Sequence, residues 1–589
     1  MKHLANLNVL VLGLGDSGLA MARWCARCGA VVQVWDSRAQ PPQAAALQQA
    51  VPAARLFSGD FSAELAQALL ADVQLVLKSP GLAPHDARIA PLLQAARARG
   101  VAVAGELQLF AHALADLKAE RAYDPKVLAI TGTNGKTTTT AMCALLLARC
   151  GLRSVAAGNI GPTMLDTLAD ALDREPAPAA ADPQPEPPAA APEPTGAEPA
   201  LSGTPDTDQP TAEAVADAVD AADGDDAAPL QRAPPPPSAP VFEVLPEVWV
   251  LELSSFQLDG VQGFVPNAAT VLNVTQDHLD WHGGMDAYVA AKARVFGTGE
   301  QAGVAGSVVM VVNRDDLRVE AMVPAPVVIK GTRALRGHTL TRKVVRFGLD
   351  APQHPGDFGL VTENGMAWLV RARELDETLK RRKGEAEEIQ LQRLMPADAL
   401  RVRGRHNAAN ALAALALATA IGCPLAPMLH GLRDYRGEPH RVEFIASVGG
   451  IEAFDDSKGT NVGATVAALD GLGADKAPAK LLVILGGDGK GQDFSPLVSP
   501  VARQARAVAL IGRDAALIAQ ALADCGVPLQ HHHSLPAAVA WCFEQAQAGD
   551  AVLLSPACAS LDMFRNYGHR AEVFVAAVQA LAAERGEAV

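Results

Sequence analysis

The stretch ITGTNGKTTTT, residues 130–140, decides how the middle of this chain folds. The apolar run KVLAI that leads into it predicts a strand, and the segment TTTAMCALLLARCG from Thr138 onward predicts an amphipathic helix. Backbone N–H groups at the start of a helix hold anionic oxygens, so a glycine-rich loop at this junction predicts a phosphate site. Ile130 stands where the P-loop pattern has its first glycine, so the match to that pattern is incomplete.

Two side chains of this loop have the chemistry that a nucleotide site needs. Lys136 is placed to reach terminal phosphates, and the Thr137 hydroxyl is placed to ligate Mg²⁺. The alternative is a threonine-rich helix start that binds nothing. A lysine there would oppose the helix dipole, so the phosphate interpretation is favoured.

The chain as a whole predicts an α/β protein with parallel sheets. Its strand candidates are apolar on both faces and alternate with alanine-rich helical segments, as in sheets covered by helices. The candidates are NVLVLGL, VVQVWD, LVLKSP, VLAITG, VWVLELSS, AATVLNVT, KLLVILGG, AVALIG and AVLLSPA.

Polar residues end the two strands that follow the phosphate loop. Glu252 closes VWVLE, and Asp277 and His278 follow AATVLNVT. Ligands gather beyond the carboxyl ends of parallel strands, and carboxylate and imidazole groups there are candidate metal ligands. Lone acids at strand ends are often only solvated, but three polar clusters at one sheet edge favour a site.

A second glycine loop, GLGDSG at residues 13–18, follows the first strand and opens a helix. Asp36 ends the next strand, where an acidic residue often takes a ribose hydroxyl, and Arg38 suits a base or a phosphate. These residues leave three alternatives open: a dinucleotide site, a site for another nucleotide-like ligand, or a tight turn.

Charge is concentrated in one segment. The net charge is −15, and residues 175–240 hold 13 acidic residues against one basic residue, together with 17 of the 41 prolines. Such a composition buries too little apolar surface to offset the entropy of ordering, so we expect a disordered insertion there. The rest is near neutral, which argues against a nucleic-acid partner.

Other features of the sequence predict a cytoplasmic protein. The sequence has no uncharged apolar run of about 20 residues and no signal peptide, so we expect no membrane insertion. The eight cysteines lack zinc spacing and are expected to be reduced. Three consecutive histidines, 531–533, point in different directions in any regular structure, which disfavours a metal site.

Length and composition shifts predict three domains. A helix gives way to a strand near residues 115–125, and a long alanine helix is followed by fresh strands after residues 434–443. We therefore expect domains at 1–118, 119–436 and 437–589, with the insertion 175–240 inside the second.

The motifs taken together resemble those of the Mur ligases. They cover nearly the whole chain except the acidic insertion and part of residues 373–398. TGTNGKT is shared with folylpolyglutamate synthases, whereas DDSKGTN and SPACASLDMF are more specific. The remaining motifs, in order, are GNIG, ELSSFQL, NVTQDHLDWHG, AAKARVF, GRHNAANALAA, HRVE, GGDGKGQDF and LSPACASLDMFRNYGHR.

The resemblance implies a Rossmann-like N-terminal domain that binds a UDP substrate, a central P-loop-like domain that binds ATP, and a Rossmann-like C-terminal domain that binds D-glutamate. It implies an ATP-dependent ligase that joins D-glutamate to UDP-N-acetylmuramoyl-L-alanine through an acyl phosphate during peptidoglycan synthesis. It also implies two Mg²⁺ ions and carbamylation of Lys292, and we expect a monomer.

The resemblance also assigns site residues. The catalytic set is Lys136, His278, Lys292 and Arg441, and the metal ligands are Thr137, Glu252, His278 and carbamylated Lys292. ATP contacts are expected from Thr133, Asn134, Gly135, Lys136, Thr137, Thr138, Thr139, Asn407, Arg441 and Asp456. UDP-substrate contacts are expected from Gly15, Asp16, Ser17, Asp36, Arg38, Ser79, Gly81, Asn159 and His278. D-Glutamate contacts are expected from Lys458, Thr460, Lys490, Ser560 and Tyr567, the last standing where a familiar family member has phenylalanine.

Two other functions compete with this one. The first glycine loop alone fits an NAD-dependent oxidoreductase, although that function leaves the second loop and the C-terminal motifs unexplained. A different ligase of the Mur and folylpolyglutamate group is the nearer alternative.

Overall fold

The computed structural model describes residues 2–60, 63–176, 241–297, 308–329, 338–375, 388–402 and 404–587. Apart from its first two residues, the predicted disordered insertion at 175–240 lies outside the described residues.

The strands fall into three principal sheets and one small hairpin. The N-terminal sheet contains β1 (Asn8–Leu12), β2 (Val31–Asp36), β3 (Arg55–Ser58), β4 (Leu75–Lys78) and β5 (Ala102–Ala104). The central sheet contains β6 (Lys126–Thr131), β7 (Ser154–Gly158), β8 (Val248–Glu252), β9 (Ala268–Val271), β10 (Val309–Asn313), β13 (Lys343–Phe347), β14 (Phe358–Glu363), β15 (Met366–Glu374) and β16 (Ile389–Pro396), and the hairpin is β11 (Val327–Ile329) with β12 (His338–Leu340). The C-terminal sheet contains β17 (Glu443–Val448), β18 (Ile451–Asp455), β19 (Leu481–Gly486), β20 (Ala505–Ile511), β21 (Leu529–His531) and β22 (Ala551–Leu554).

Helices alternate with these strands. In the first third they are α1 (Asp16–Arg27), α2 (Ala44–Ala50), α3 (Ala63–Leu69), α4 (Ala90–Ala98), α5 (Glu106–Arg121), α6 (Lys136–Arg149) and α7 (Met164–Arg174). The middle of the chain contains α8 (Ser255–Leu258), α9 (Leu279–His282), α10 (Met285–Ala293), α11 (Leu317–Glu320), α12 (Arg405–Ala420) and α13 (Leu425–Asp434). The last are α14 (Val462–Lys476), α15 (Val498–Gln504), α16 (Ala515–Ala521), α17 (Leu535–Gln545) and α18 (Tyr567–Glu584).

The predicted α/β class is confirmed. Every predicted strand run is present, and the N-terminal sheet is parallel throughout, in the order β3-β2-β1-β4-β5. The C-terminal sheet, in the order β17-β18-β22-β19-β20-β21, has one antiparallel pair at its β17 edge. The central sheet adds β14, β15 and β16, which pair antiparallel with one another.

Sheet order explains why polar residues meet at the phosphate loop. β6 lies between β8 and β9, so Ile130 pairs with Glu252 on one side and with Thr270 on the other. Because all three strands are parallel, their carboxyl ends share one edge, and the loop after β6 opens there.

Helices α6 and α12 pack against each other in the core below this edge of the sheet. α6 packs Met142, Leu146 and Leu147 against α12, whose residues 411–418 are all buried. Five of those eight residues are alanine, and such small side chains let the two helices lie close together. The start of α6 is thereby fixed relative to the sheet.

Among the described residues, no helix is long and apolar enough to cross a membrane.

Candidate active site

The loop after β6 is held in one conformation by glycine. Gly135 caps α6 with a φ of 82°, in the left-handed region. A Cβ there would lie 2.5 Å from the Asn410 Oδ1 atom, so a side chain fits neither the backbone nor the space. Asn410 of α12 was missed in the sequence analysis, although it is the second asparagine of HNAAN and lies one helical turn after Asn407.

Neighbouring polar groups anchor the loop. The Thr133 hydroxyl lies 3.1 Å from the Thr275 carbonyl oxygen and 3.0 Å from the Tyr288 hydroxyl. The Asn134 backbone N–H donates to the Asn273 side chain at 2.9 Å. The loop is therefore tied to the segment that follows β9, and little reorganisation is needed to present its N–H groups.

Lys136 is folded back over the loop. Its Nζ atom donates to the carbonyl oxygens of Gly132 and Thr133, each at 2.9 Å. Burial lowers its pKa, while the nearby Glu252 carboxylate acts in the opposite direction. A lysine in this position is ready to exchange two carbonyl contacts for phosphate oxygens.

A row of threonines begins α6. Thr137, Thr138 and Thr139 are all buried, and the Thr139 hydroxyl has no hydrogen-bond partner among the described residues. The Thr137 hydroxyl accepts a hydrogen bond of 2.9 Å from the Arg441 guanidinium.

Glu252 meets the requirement for a metal ligand. Its side chain is 2% exposed, and its Oε1 atom accepts a 2.8 Å bond from the Asn159 amide. Its Oε2 atom is buried and has no partner among the described residues. An unpartnered buried carboxylate oxygen is costly unless a cation or donor satisfies it, so the residue fits Mg²⁺.

His278 lies beside Asp277 at the same edge. Its Nε2 atom is 3.4 Å from the Asp277 carboxylate, and its ring packs edge-on against Phe256. Burial lowers the pKa of His278 to about 4 against the attraction of Asp277, and Lys490, Lys136 and Lys292 lower it further. The neutral imidazole is the form that ligates a metal.

Lys292 is buried within the site. Its side chain is 1% exposed, its Nζ atom donates to the Gly132 carbonyl oxygen at 2.8 Å, and it lies 4.6 Å from the centre of the Tyr288 ring. Burial, followed by the nearby Lys136 charge, holds its pKa well below the ordinary value. A neutral, nucleophilic amine is favoured there.

Arg441 reaches the phosphate loop from the C-terminal sheet. It lies between His440 and Val442, which both have positive φ values of 64° and 51°. His440 is held by Asp455, whose carboxylate lies 2.7 Å from the His440 Nδ1 atom. A strained backbone of this kind persists only where its surroundings fix it, and here it directs Arg441 at Thr137.

Asp456 lies close to Arg441, and the two residues line the same cavity. Asp456 is 6% exposed and accepts a 2.6 Å bond from the Ser555 hydroxyl. Burial raises the pKa of Asp456 to about 7, although Ser555 and Arg441 act in the opposite direction. A cavity of about 60 Å³ is lined by Asp456, Arg441, Asn407 and residues of the phosphate loop.

Of the residues expected at D-glutamate, Lys458, Thr460, Lys490 and Ser560 lie on loops that follow strands of the C-terminal sheet, and Tyr567 begins α18. The Lys458 amine is 5.4 Å from the Tyr567 ring centre, and its pKa is lowered by burial and by Arg441. Thr460 follows on the same loop, Ser560 is buried, and Lys490 is near enough to His278 to influence its pKa. The structure thus brings Lys458 and Lys490 towards the phosphate loop.

Asp36, at the end of β2 beside the first glycine loop, is hydrogen-bonded by groups of the protein itself. Its carboxylate accepts bonds from the Leu14 N–H at 2.7 Å and from both Arg38 guanidinium and backbone groups. Burial alone would raise its pKa, but Arg38 and Leu14 lower it to about 2. Arg38 is exposed at its tip.

The other residues of this region are mutually connected. The Ser79 hydroxyl donates to the Gly13 carbonyl oxygen at 2.9 Å, and Asp16 accepts from the Gln43 amide at 2.7 Å. Ser17 hydrogen-bonds Glu106, and open space surrounds the positions of Gly15 and Gly81.

Lys78 ends β4, contacts Trp281 of α9 and was missed in the sequence analysis. Its Nζ atom lies 5.2 Å from the centre of the Trp281 ring of α9, and burial lowers its pKa to about 8. Its position directly before Ser79 was the only available signal.

The site combines a phosphate loop, the unpartnered carboxylate oxygen of Glu252 and cationic side chains from the C-terminal sheet. This combination is typical of a nucleotide-dependent enzyme built from several α/β domains. Family models match three consecutive ranges: "Mur ligase MurD-like, N-terminal domain" at 7–105, "Mur ligase middle domain" at 242–418 and "Mur ligase, glutamate ligase domain" at 440–558. The chain belongs to the Mur ligase family.

Similar proteins were found by sequence and by structure. UDP-N-acetylmuramoylalanine–D-glutamate ligase of Albidiferax ferrireducens is 55% identical, covering 100% of this chain and 99% of the relative. The enzyme of the same name from Burkholderia pseudomallei is 51% identical, with 98% of each chain covered. The crystal structure of UDP-N-acetylmuramate-alanine ligase from Thermotoga maritima is 18% identical, covers 98% of this chain and 100% of that one, and has a TM-score of 0.49.

Proposed function

We propose that this protein joins D-glutamate to UDP-N-acetylmuramoyl-L-alanine at the expense of ATP, in the synthesis of peptidoglycan precursors. The observation that carries the proposal is the meeting of two parts of the chain. Arg441 at the C-terminal sheet contacts Thr137 of the phosphate loop at 2.9 Å, so a nucleotide on one side faces an amine on the other. Relatives 51–55% identical over nearly their full length carry the name of this ligase.

The chemistry requires that a carboxylate be activated. Its oxygen attacks the γ-phosphorus of ATP, ADP leaves, and an acyl phosphate forms. The D-glutamate amine then attacks the acyl carbon, the C–O bond breaks, and phosphate leaves while the amine loses a proton. Lys136 and Arg441 neutralise charge on the phosphoryl oxygens, and the rigid loop positions them.

Metal ions are part of this proposal. Thr137 and Glu252 would hold one Mg²⁺ ion, and His278 and carbamylated Lys292 would hold a second. Bound Mg²⁺ supplies charge neutralisation to the phosphate oxygens. The unpartnered Oε2 atom of Glu252 and the neutral state favoured for His278 support this arrangement.

Carbamylation of Lys292 is supported by its surroundings. Carbon dioxide adds to a neutral amine, and burial beside Lys136 favours that form of Lys292. The product is an anionic oxygen ligand, whereas a protonated lysine would repel a metal ion. The exposed lysines on the surface lack this burial.

The substrate sites follow from the remaining residues. The UDP substrate would lie over Gly15, Asp16, Ser17, Asp36, Arg38, Ser79 and Gly81, with its muramoyl arm passing Asn159 and His278. Both carboxylate oxygens of Asp36 are engaged by Leu14 and Arg38, so Asp36 supports the loop and orients Arg38, whose remaining N–H groups would meet the ligand. D-Glutamate would be held by Lys458, Thr460, Lys490, Ser560 and Tyr567.

The proposal includes three domains, at 1–118, 119–436 and 437–589, in a monomeric cytoplasmic enzyme. The three principal sheets each fall within one of these ranges. The family matches also account for the first glycine loop without NAD, because the MurD-like N-terminal model spans it.

Phosphate release tests the function. We expect release from ATP only when UDP-N-acetylmuramoyl-L-alanine and D-glutamate are both present, with L-glutamate inactive. Lys136→Met should abolish release, whereas Lys118→Ala, an exposed lysine paired with Asp124, should leave it unchanged. Release with L-glutamate or with a longer peptide acceptor would favour another ligase of the family, and NAD binding would favour the oxidoreductase.

A further inference from the structure

The tip of the phosphate loop is joined to α14 by a reciprocal pair of amides. The Asn134 Nδ2 atom donates to Asn461 Oδ1 at 3.1 Å, and the Asn461 Nδ2 atom donates to Asn134 Oδ1 at 2.9 Å. The two residues are 327 positions apart, and they connect the ATP side of the site to the C-terminal sheet. We call this contact the asparagine latch.

The side chain of Asn461 and the backbone of Asn134 are each fixed by their own surroundings. Asn461 is 4% exposed, and its Oδ1 atom also accepts from the Ala464 N–H at 2.9 Å, which caps α14. Asn134 exchanges two backbone hydrogen bonds with the Asn273 side chain, at 2.9 and 3.2 Å. The latch therefore joins a side chain that is already held, that of Asn461, to a residue whose backbone is already in place, which limits the entropy lost when it forms.

Close backbone approach surrounds the latch. A Cβ on Gly463, in the first turn of α14, would lie 2.8 Å from the Thr275 hydroxyl oxygen and 3.2 Å from the Asn134 amide nitrogen. Helix α14 thus packs directly against the segment that anchors the phosphate loop. Any side chain at residue 463 would push the two apart.

Asn461 of the latch lies on the same loop as residues that are expected to bind D-glutamate. Lys458 and Thr460, two residues expected to hold D-glutamate, immediately precede Asn461 on the same loop. A loop fixed at Asn461 is therefore fixed where the attacking amine would be held. A displacement of about 1 Å at such a site can cost a large factor in rate.

We propose that Asn461 is a positioning residue, which ties the D-glutamate loop to the phosphate loop so that the amine faces the activated carboxylate. This inference rests on the proposed function. It assigns to Asn461 a role in turnover beyond capping a helix, and it assigns Asn134 a second contact besides ATP.

Asn461→Asp separates the two roles. Aspartate has nearly the same shape and caps a helix as well as asparagine does. Its second oxygen, however, faces the Asn134 Oδ1 atom, so one hydrogen bond becomes a repulsion. The helix cap and the packing stay, and one of the two latch hydrogen bonds is replaced by a repulsion.

The experiment measures kcat, the ATP dissociation constant and the thermal midpoint of the full chain. For Asn461→Asp we expect kcat to fall about tenfold, since one hydrogen bond is lost and one repulsion is gained, with little change in the midpoint or in ATP binding. Ser534→Ala removes a cap from α17 far along the chain and is the control. It should lower the midpoint and leave kcat unchanged.

A double-mutant cycle provides the second measurement. Asn134→Ala and Asn461→Ala should each lower kcat, and the double variant should be less impaired than the product of the two single losses. If the loss of kcat in the double variant equals the product of the two single losses, or if Asn461→Asp turns over like the unsubstituted protein, Asn461 is not a positioning residue. The proposed ligase function would not be affected by either result. If the unsubstituted chain releases no phosphate with D-glutamate, the proposed function and the role given to the latch both fail.

Discussion

We expect the buried carboxyl group of Asp456 to lower the stability of the folded protein at neutral pH, although the residue is expected to serve turnover. Its pKa is raised from 3.8 to about 7 by burial, so the folded protein binds a proton that the unfolded chain has released. Between those two pH values stability falls as the pH rises, because the folded state holds more protons. A shift of about three pH units, at about 1.4 kcal/mol each, corresponds to a destabilisation of about 4 kcal/mol above pH 7.

Asp456→Asn removes this cost. The amide is neutral at every pH and can still accept the hydrogen bond from Ser555. We expect the variant to be more stable than the unsubstituted protein by about 4 kcal/mol at pH 8 and by only about 1–2 kcal/mol at pH 5. For a domain of this size the gain of about 2–3 kcal/mol between pH 5 and pH 8 corresponds to roughly 4–12 °C in the thermal midpoint.

The assay compares thermal midpoints of both proteins at pH 5 and pH 8, together with turnover. Turnover should fall, since Asp456 lines the cavity beside Arg441. A matched control is Asp493→Asn, which changes an exposed aspartate whose pKa is not raised. The difference in midpoint between this variant and the unsubstituted protein should be the same at pH 5 and at pH 8. If the difference in midpoint between the Asp456→Asn variant and the unsubstituted protein is the same at both pH values, or if the variant is less stable at pH 8, the pKa of Asp456 is not raised in the folded protein.

Three further predictions concern the phosphate loop and its neighbours. Lys292→Ala should lose turnover by at least 100-fold, and formate or acetate should partly restore it by replacing the carbamate oxygens; no rescue in a folded variant would count against carbamylation. Glu252→Gln should raise the Mg²⁺ concentration needed for half-maximal phosphate release at least tenfold, because an amide is a poorer ligand than the unpartnered carboxylate oxygen; an unchanged Mg²⁺ titration would contradict the assignment. Gly135→Ala should weaken ATP binding and lower the thermal midpoint, because its Cβ would lie 2.5 Å from Asn410; ATP affinity equal to that of the unsubstituted protein would show that the loop tolerates the change.

Local sequence patterns predicted the parallel framework well. A strand such as β6 is apolar on both faces because helices cover both sides of its sheet, and that pattern is visible in a short window. The sharing of one edge by Glu252 and His278 followed from the same rule, since parallel strands end together.

Long-range contacts were not predictable in the same way. The pairing of Asn134 with Asn461 depends on how two sheets dock, and no short window encodes it. Asn410 approaches Gly135 only because α12 packs against α6. The antiparallel strands β14–β16 were also missed, since their mixed polar pattern lacks a long apolar run.

The roles given to individual site residues stay predictions, whereas the family models and the relatives show that the chain is a Mur ligase. Lys136, His278 and Lys292 meet at the phosphate loop, and their shifted pKa values have identifiable causes in burial and charge. Shifted pKa values of this kind are typical of functional sites.

The proposed reaction depends on an acyl phosphate that forms on the acceptor carboxylate. The most direct measurement uses UDP-N-acetylmuramoyl-L-alanine labelled with ¹⁸O in its alanyl carboxylate, with ATP and D-glutamate, and analyses the released phosphate by mass spectrometry. We expect one ¹⁸O atom in each phosphate, because the carboxylate oxygen that attacks phosphorus leaves with it. Unlabelled phosphate, released in step with formation of the D-glutamyl product, would contradict this expectation.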